Sequence, residues 1–274
     1  MNIYLNCKDY SVSKEEFQLL YDKDLDMLVT DPQPKNLSTY YESDDYISHT
    51  DSKKSLVDKI YQSVKKRNLK SKLKIVQKHC NGKRLLDLGS GTGDFLVAAE
   101  KAGWIVSGVE PNEKAKEKAS QKGLILKPSL EDLSNEKYDV ITLWHVLEHL
   151  PNLNDQITRL YNVLSENGVL IIAVPNFKSY DAAYYKNYWA AFDVPRHLWH
   201  FSKSSIKKIF SKKGMIVLKT YPMVFDAFYV SLLSEKYKTG KQRFLPAFFI
   251  GLLSNFKAMQ NKEYSSLIYV IKKA

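Results

Sequence analysis

Segment 85–95 of the chain places three glycines between a short apolar run and a helix-forming run. LLDL precedes Gly89, Gly91 and Gly93, and DFLVAAEKA follows them. Glycines let a backbone come close to a ligand, and a helix N-terminus offers free N–H groups. Glu110 ends the next predicted strand, where a carboxylate can accept hydrogen bonds from both hydroxyls of a ribose. This pattern predicts a nucleotide site and is less well explained by a tight turn without a ligand.

The residue at position 94 separates two classes of nucleotide site. The dinucleotide fingerprint GxGxxG requires glycine there, but this chain has Asp94. An acid at the start of a helix is poorly suited to a diphosphate. The sequence therefore disfavours a nicotinamide-dependent enzyme.

Strand-like and helix-like segments alternate through the middle of the chain. Apolar runs predict strands at 83–88, 104–110, 124–127, 138–144, 169–175, 215–221 and 266–273. Helices are predicted at 94–102, 112–123, 153–168 and 202–214. Such alternation predicts an α/β fold with a mostly parallel sheet and helices on both faces.

Two segments interrupt the alternation, are longer than plain connections and leave the carboxyl ends of their strands, so we expect them to form the acceptor site together. Residues 176–201 hold nine aromatic side chains, and residues 222–265 form a helical insertion before the last strand. The apolar run FLPAFFIGLL (244–253) is too short to span a bilayer and predicts a buried or capping helix. A membrane-surface role is the less favoured alternative. We expect residues 1–50 to form a small β-rich or irregular extension and 51–274 the main domain.

Charge is distributed unevenly along the N-terminal third. Residues 53–84 carry twelve Lys or Arg and one acid, whereas residues 1–52 carry eleven acids and four lysines. Helical spacing of apolar residues from 52 to 79 predicts one or two basic amphipathic helices. The basic stretch either lies near the acidic segment or contacts a polyanion such as RNA. We favour the first interpretation.

Composition argues against disulfide-rich, metal-binding, membrane-spanning and secreted proteins. Cys7 and Cys80 provide neither a disulfide framework nor a CxxC metal pair. No apolar run has the length of a membrane-spanning helix, and the N-terminus does not resemble a signal peptide. We therefore expect a cytoplasmic protein without a bound metal.

Four motifs in register resemble those of class I S-adenosylmethionine-dependent methyltransferases. They are LDLGSGTGDF (86–95), GVEPN (108–112), YDVITLWHVLEHLPN (138–152) and LYNVLSENGVLIIAVPN (160–176). The resemblance covers about residues 80–220. It implies a Rossmann-like sheet of seven strands, with the last strand antiparallel, and S-adenosylmethionine as cofactor.

The resemblance also implies roles for individual residues. Asp87 and the loop Gly89–Ser90–Gly91–Gly93 would hold the amino-acid end of the cofactor, and Glu110 its ribose. The remaining implied contacts flank the adenine or line the methyl sulfonium, and they are Pro111, Asn112, Ser129, Leu130, Trp144 and His145.

The N-terminal segment is similar to that of a subgroup with a zinc ribbon before the catalytic domain. In that subgroup, paired cysteines precede a stretch like DPQP … YYESDDY. Only Cys7 is present here, so we expect a ribbon-like remnant without metal.

Methyl transfer mainly requires alignment of the acceptor behind the methyl group and exclusion of water. A base is needed only if the acceptor must lose a proton. His145 and His149 are the catalytic candidates, and they would share a face if their turn is helical. A metal site is a second interpretation, because some ubiquinone-pathway O-methyltransferases carry E-x-x-E-H here, but His145 replaces the first glutamate. Local packing is the favoured alternative for Glu148 and His149.

The motif DVPRHLWHF (193–201) is the second candidate for acceptor binding. Tyr188, Arg196, His197 and His200 could contact the acceptor, and Arg196 could pair with a carboxylate or phosphate. An equally favoured alternative is a structural corner in which Arg196 pairs with Asp193.

The sequence thus predicts methyl transfer to a small or lipid-linked acceptor, with oxygen favoured over nitrogen. The alternatives are an RNA methyltransferase that uses residues 53–84 and a non-catalytic cofactor-binding protein. Against the RNA alternative, the chain has no separate RNA-binding module and no NPPY-like motif. Against the non-catalytic alternative, the glycine loop and Glu110 are intact.

Overall fold

The fold is described from a computed structural model. It describes residues 1–41, 56–133 and 136–274, without the side chains of residue 38 and residues 56–66. Within these ranges the strands are β1 Asn2–Lys8, β2 Glu16–Asp22, β3 Met27–Asp31, β4 Arg84–Leu88, β5 Ile105–Val109, β6 Tyr138–Trp144, β7 Leu164–Pro175, β8 Trp199–His200, β9 Met215–Pro222 and β10 Ser266–Lys273.

The α-helices of the described residues fall between these strands. They are α1 Leu56–His79, α2 Asp94–Lys101, α3 Glu113–Ser120, α4 Leu153–Val163, α5 Tyr180–Tyr185, α6 Lys203–Ser211, α7 Asp226–Thr239 and α8 Phe244–Asn261. Short 3₁₀ helices occur at Ser38–Tyr41, Leu130–Asp132, Leu147–His149, Lys186–Tyr188 and Ala190–Phe192.

The main sheet has the strand order β5-β4-β6-β7-β10-β9. Strand β4 pairs in parallel with both β5 and β6. Strands β4 and β6 are apolar and almost continuously buried, as expected for parallel strands covered on both faces. The predicted α/β fold with a mostly parallel sheet is confirmed.

The prediction of a strand at 124–127, which would be the seventh of the sheet, is wrong. Segment 124–127 forms only an isolated bridge, between Lys127 and Val109, so the sheet has six strands in the described ranges. The segment is four residues long and ends at Pro128, which leaves little backbone for a ladder. Leu124 and Leu126 are nevertheless buried, so the segment still closes the core beside β5.

The chain divides into two compact units. The first comprises Met1–Glu42, His145–Gln156 and Ala173–Tyr269, and the second comprises Ser43–Trp144, Ile157–Ile172 and Val270–Ala274. Strands β7 and β10 contribute residues to both units. The predicted boundary at residue 50 falls outside the described residues.

The first unit begins with an antiparallel ribbon. Strand β1 pairs with β2, β2 with β3, and β3 with β8. Its inward side chains join an aromatic core that includes Phe17, Leu28, Trp189 and Phe192. Cys7 is a free, buried thiol of this core. The aromatic segment 176–201 is therefore largely a structural core for the N-terminal ribbon.

A buried guanidinium joins the ribbon to segment 193–198. Arg196 donates to the carboxylates of Asp9, 3.0 Å away, and Asp193, 2.6 Å away, and also to Ser11 Oγ and the Tyr40 carbonyl. Arg196 and Asp9 are almost fully buried. Burial alone would raise the pKa of Asp9, but Arg196 and nearby backbone N–H groups hold it well below its usual range.

Replacing this guanidinium should destabilise the fold strongly. We expect Arg196→Ala to lower the free energy of unfolding by about 3–5 kcal/mol, because Asp9 would remain buried, and Asp193 partly buried, without their cation. Since the pKa of Asp9 is lowered, this stabilisation is present at neutral pH and declines as pH falls below about 4. Urea unfolding of wild type and variant measures the difference.

Arg159→Ala is the matched control, since Arg159 pairs with Glu131 on the surface. An exposed ion pair contributes at most about 1 kcal/mol. An equal loss in both variants would contradict a special role for Arg196.

Candidate functional site

The glycine loop in the second unit adopts a conformation that requires its glycines. Gly89, Gly91 and Gly93 have φ angles of 69°, 54° and 76°, in the left-handed region. The N–H groups of Gly89 and Ser90 donate to the Val109 carbonyl at 2.8 and 2.9 Å. A Cβ atom at Gly91 would meet nothing within 4 Å. The loop is therefore fixed to β5 at its start and open at Gly91.

Glu110 follows β5 and is hydrogen-bonded to the loop. Its Oε2 accepts from Gly91 N at 2.8 Å and its Oε1 from Asn112 N at 2.9 Å. Asn112 in turn caps α3 by accepting from Ala115 N. Burial raises the pKa of Glu110. Each carboxylate oxygen keeps a further lone pair, so ribose hydroxyls fit as additional donors.

Asp87, at the end of β4, is a second buried carboxylate of this unit. Thr142 Oγ1 donates to its Oδ1 at 2.5 Å. Burial raises the pKa of Asp87 to about 7, against the opposing effects of Thr142 and of the positive charge of Lys72. A bound ammonium group would stabilise the ionised form of Asp87. This fits the family resemblance, which implies that Asp87 holds the amino-acid end of the cofactor.

The other predicted cofactor contacts lie in the same unit, except His145; they are Pro111, Asn112, Ser129, Leu130 and Trp144. Trp144 packs against Phe95, with Lys72 Nζ 4.5 Å from its ring centre. Its indole Nε1 is buried without a hydrogen-bond partner among the described residues. Ser129 donates from both its N–H and its Oγ to Asp132 Oδ2, at the start of the 3₁₀ helix that begins at Leu130. The free indole donor and the open Gly91 are both compatible with a bound nucleotide.

His145 belongs to the first unit and directly follows β6. Its backbone has φ 59° and its N–H donates to the Ala173 carbonyl. The ring lies between two carboxylates, with Nδ1 3.4 Å from Glu148 Oε1 and Nε2 3.2 Å from Asp226 Oδ2. The Glu148 contact is long for a hydrogen bond, and we describe it as an ion pair.

The two carboxylates determine the charge of His145. Burial alone would lower its pKa, but Asp226 and Glu148 outweigh burial and raise it to about 9. His145 is therefore a cation at neutral pH. It can act as a base only after it loses this proton.

His149 has a different environment from His145. Its Nδ1 lies 2.9 Å from the Tyr41 hydroxyl and 3.0 Å from the Arg196 carbonyl. Burial, with the charge of His197, lowers its pKa to about 4. The intervening turn is a 3₁₀ helix from Leu147, so the two histidines do not have the helical spacing that a shared face would need. This geometry favours the local structural role of His149.

Glu148, His149 and His197 form a compact group whose potential ligand atoms lie within 4.8 Å of one another. A carboxylate with two imidazoles suits zinc. The same geometry also has an explanation without metal, because His145 balances the charge of Glu148 and His197 Nδ1 is hydrogen-bonded to the Ala191 carbonyl. The absence of a metal stays a prediction.

The predicted acceptor contacts of segment 176–201 mostly bind protein groups. Every N–H-bearing nitrogen of Arg196 is hydrogen-bonded within the first unit. His200 Nε2 lies 3.0 Å from Thr30 Oγ1, and Tyr188 packs against Tyr10. These contacts favour the structural alternative, because the side chains support the N-terminal ribbon.

Asp226 is the functional candidate that sequence reasoning missed. It is the first residue of α7, shortly after β9 ends, and lies in insertion 222–265, for which the sequence predicted an acceptor-binding role without naming a polar residue. The available signal was an acid at a helix start beside Phe225 and Tyr229.

Comparison with known proteins identifies the family. The sequence signature described as "Methyltransferase domain" matches residues 50–220, more than half of the chain. The chain belongs to this methyltransferase family. The predicted family is confirmed, and with it S-adenosylmethionine as the cofactor that the family implies.

Curated relatives match part of the methyltransferase. Ubiquinone biosynthesis O-methyltransferase of Haemophilus ducreyi is 36% identical over 109 residues, covering 35% of this chain and 46% of that protein. The enzyme of the same name from Histophilus somni is 33% identical over 123 residues, covering 39% and 52%. The chain thus spans about half the length of these relatives.

Solved structures share the fold. Magnesium protoporphyrin IX methyltransferase from Synechocystis PCC 6803, with bound SAH, has a TM-score of 0.55 at 19% identity, covering 82% of this chain and 90% of that one. A possible histamine N-methyltransferase from Thermotoga maritima has a TM-score of 0.53 at 19% identity, covering 75% and 89%. At these identities the likeness supports the fold alone.

Blocking the glycine loop should abolish cofactor binding. We expect Gly91→Arg to weaken S-adenosylhomocysteine binding at least about 100-fold, because the side chain would occupy the open space at Gly91. Glu110→Ala should weaken it about 10- to 100-fold through lost hydrogen bonds to the ribose. Isothermal titration calorimetry measures both.

Gly103→Arg is the control, because Gly103 also has positive φ and open space but lies outside the loop. Unchanged affinity in Gly91→Arg and Glu110→Ala would rule out this site.

Cofactor affinity should depend on the ionisation of Asp87. We expect S-adenosylmethionine to bind more weakly as pH falls below about 7, up to about tenfold per pH unit, because protonated Asp87 no longer attracts the ammonium group. Asp87→Asn should bind weakly and lose this pH dependence. Calorimetry from about pH 8 to about pH 5.5 checks this, and a wild-type affinity that does not change with pH would contradict it.

Proposed function

We propose that this methyltransferase transfers the methyl group of S-adenosylmethionine to a hydroxyl oxygen of a small or lipid-linked acceptor. The observation that carries the proposal is the arrangement of His145 between the carboxylates of Glu148 and Asp226. The curated relatives are named as O-methyltransferases, which supports the same acceptor atom.

The chemistry of a hydroxyl acceptor explains why this arrangement matters. When bound, S-adenosylmethionine supplies an activated methyl group. A hydroxyl must lose its proton to become a good nucleophile, whereas a neutral amine already carries a lone pair. His145 and Asp226 together offer an imidazole and a carboxylate to which a hydroxyl proton can pass. Such a pair is more useful to an oxygen acceptor than to a nitrogen acceptor.

His145 is a strong base once deprotonated, because its pKa is about 9. At neutral pH only a small fraction is in the basic form, and that fraction rises with pH. Glu148 is fully buried and forms an ion pair with the Nδ1 side of the ring. Nε2 and Asp226, which is partly exposed, form the side of the arrangement that an acceptor could reach.

Apolar side chains surround Asp226 on its own segment. Val224, Phe225 and Tyr229 are each more than a third exposed to solvent. Exposed aromatic and aliphatic groups beside a carboxylate suit an acceptor with a ring or an apolar chain. We therefore propose the start of α7, rather than Arg196 and His200, as the acceptor-binding part of the insertions.

Removing Asp226 should shift the pH dependence of methyl transfer. Wild-type kcat/KM should rise as pH increases toward about 9, because His145 becomes neutral. Asp226→Asn removes the charge that raises the pKa of His145, so the rise in kcat/KM should occur at lower pH. We also expect turnover to fall at least about tenfold while cofactor affinity stays unchanged. The assay uses methyl-tritiated S-adenosylmethionine with phenols, polyprenylated phenols and primary amines.

The His145 pKa is also measurable without an acceptor, by NMR titration of its imidazole in wild type and Asp226→Asn. Asp155→Asn is the matched control, since Asp155 is also a carboxylate in the first turn of a helix but is exposed. Methylation confined to amines, or a His145 pKa unaffected by Asp226→Asn, would refute the proposal.

A further inference from the structure

Helix α8 exposes most of its large apolar side chains. Within Phe244–Asn261, eight Phe, Leu and Met side chains are between 37% and 72% exposed. They are Phe244, Leu245, Phe248, Phe249, Leu252, Leu253, Phe256 and Met259. Their spacing places most of them along one side of the helix. The predicted helix is thus present, but its bulky side chains are exposed, so it is not a buried helix.

The small side chains of α8 form the opposite, buried face. Ala247, Gly251, Ser254 and Ala258 are the buried residues of the helix. A Cβ atom at Gly251 would lie 2.7 Å from the Phe228 ring on α7, so this face packs closely. Because small residues occupy the packed side, the bulky residues must face outward. Ser254 on the packed side donates a hydrogen bond to buried Asp181, which fixes this orientation of the helix. The exposed apolar surface follows from that orientation.

Positive charge surrounds this apolar surface. Residues 236–262 contain six Lys or Arg residues and no Asp or Glu. Lys241 and Arg243 immediately precede the helix and are exposed, and Lys257 and Lys262 lie near its end. A helix with exposed Phe and Leu on one side and basic groups around it is typical of segments that lie in the interface of an anionic membrane.

We propose that α8 and its basic surroundings bind the surface of an anionic lipid bilayer. The apolar side chains would enter the boundary between headgroups and acyl chains, and the basic side chains would contact lipid phosphates. A second copy of the chain is the less favoured occupant, because a symmetric contact through this face would bring two unbalanced clusters of positive charge together. No helix among the described residues could cross a membrane, which agrees with binding at the surface.

The proposed surface continues toward the candidate acceptor residues. Asn255 of α8 donates to the Val224 carbonyl at 2.8 Å, and Phe248 stacks on Phe228 of α7. Val224 and Phe225, next to Asp226, are also exposed. A lipid-linked acceptor could therefore move from the bilayer to Asp226 along apolar side chains. This last step rests on the proposed function, whereas bilayer binding does not.

The test is co-sedimentation of the full chain with vesicles. We expect binding to vesicles of equal phosphatidylglycerol and phosphatidylcholine, and at least tenfold weaker binding to phosphatidylcholine alone or at high salt. Phe249→Glu/Phe256→Glu should reduce binding to the anionic vesicles at least tenfold. Lys241→Glu/Arg243→Glu should also reduce it.

Matched controls distinguish vesicle binding through this surface from nonspecific binding. Ile105→Glu/Ile125→Glu replaces two exposed apolar residues elsewhere, and Lys101→Glu/Lys114→Glu makes the same charge change on α2 and α3. Both should bind vesicles like wild type. Retained S-adenosylhomocysteine binding and thermal unfolding would show that each variant is folded.

Three results would overturn the proposal. They are no binding of wild type to anionic vesicles, equal losses in the control variants, and a dimer detected by sedimentation that Phe249→Glu/Phe256→Glu dissociates without any vesicle binding. Vesicle binding with no methylation of any hydroxyl acceptor would refute only the proposed function.

Discussion

The buried guanidinium of Arg196 is the interaction on which the first unit depends. It neutralises Asp9 from the N-terminal ribbon and Asp193 from its own turn, and these groups are far apart in sequence. The chain around it is fixed in turn, since the Arg196 carbonyl contacts His149 and Leu198 N donates to the Glu148 carbonyl. The position of Glu148, and through it the charge of His145, therefore depends on the chain segment that this ion pair fixes.

The second unit depends on two buried carboxylates instead. Asp87 and Glu110 both have raised pKa values because of burial, and the charge of Glu110 further raises that of Asp87. Both groups would therefore be stabilised by a cationic ligand. S-Adenosylmethionine carries an ammonium and a sulfonium, and transfer of the methyl group removes the sulfonium charge.

Sequence reasoning succeeded where the interactions are local. The glycine loop, Glu110 and Asn112 lie within a strand–loop–helix and a strand–cap–helix, whose spacing is set by neighbouring residues. The strands β4, β6 and β10 were predicted to within one residue because their runs are mostly apolar and almost continuously buried. The pairing of Arg196 with Asp193 was one of two alternatives that the sequence offered, and the structure contains this local pair. The pairing of Arg196 with Asp9 was not predicted, because the two residues are 187 positions apart and no local pattern connects them. Asp226 was missed for the same reason.

Helix α8 shows a different limit of sequence reasoning. An apolar run states how much hydrophobic surface a helix has, but not which side is packed. In α8 the packed side is the one with the small residues. Gly251 allows close approach to Phe228, and Ser254 donates a hydrogen bond to Asp181. A large Phe or Leu at position 251 would clash with Phe228 of α7. Once Gly251 and Ser254 face inward, helical geometry leaves Phe249 and Phe256 outside. Water is a poor environment for so many aromatic groups on one helix, so the exposed face costs free energy unless something apolar covers it. The excess of positive charge around it argues that the covering surface is negative as well as apolar, and a bilayer of anionic lipids has both properties.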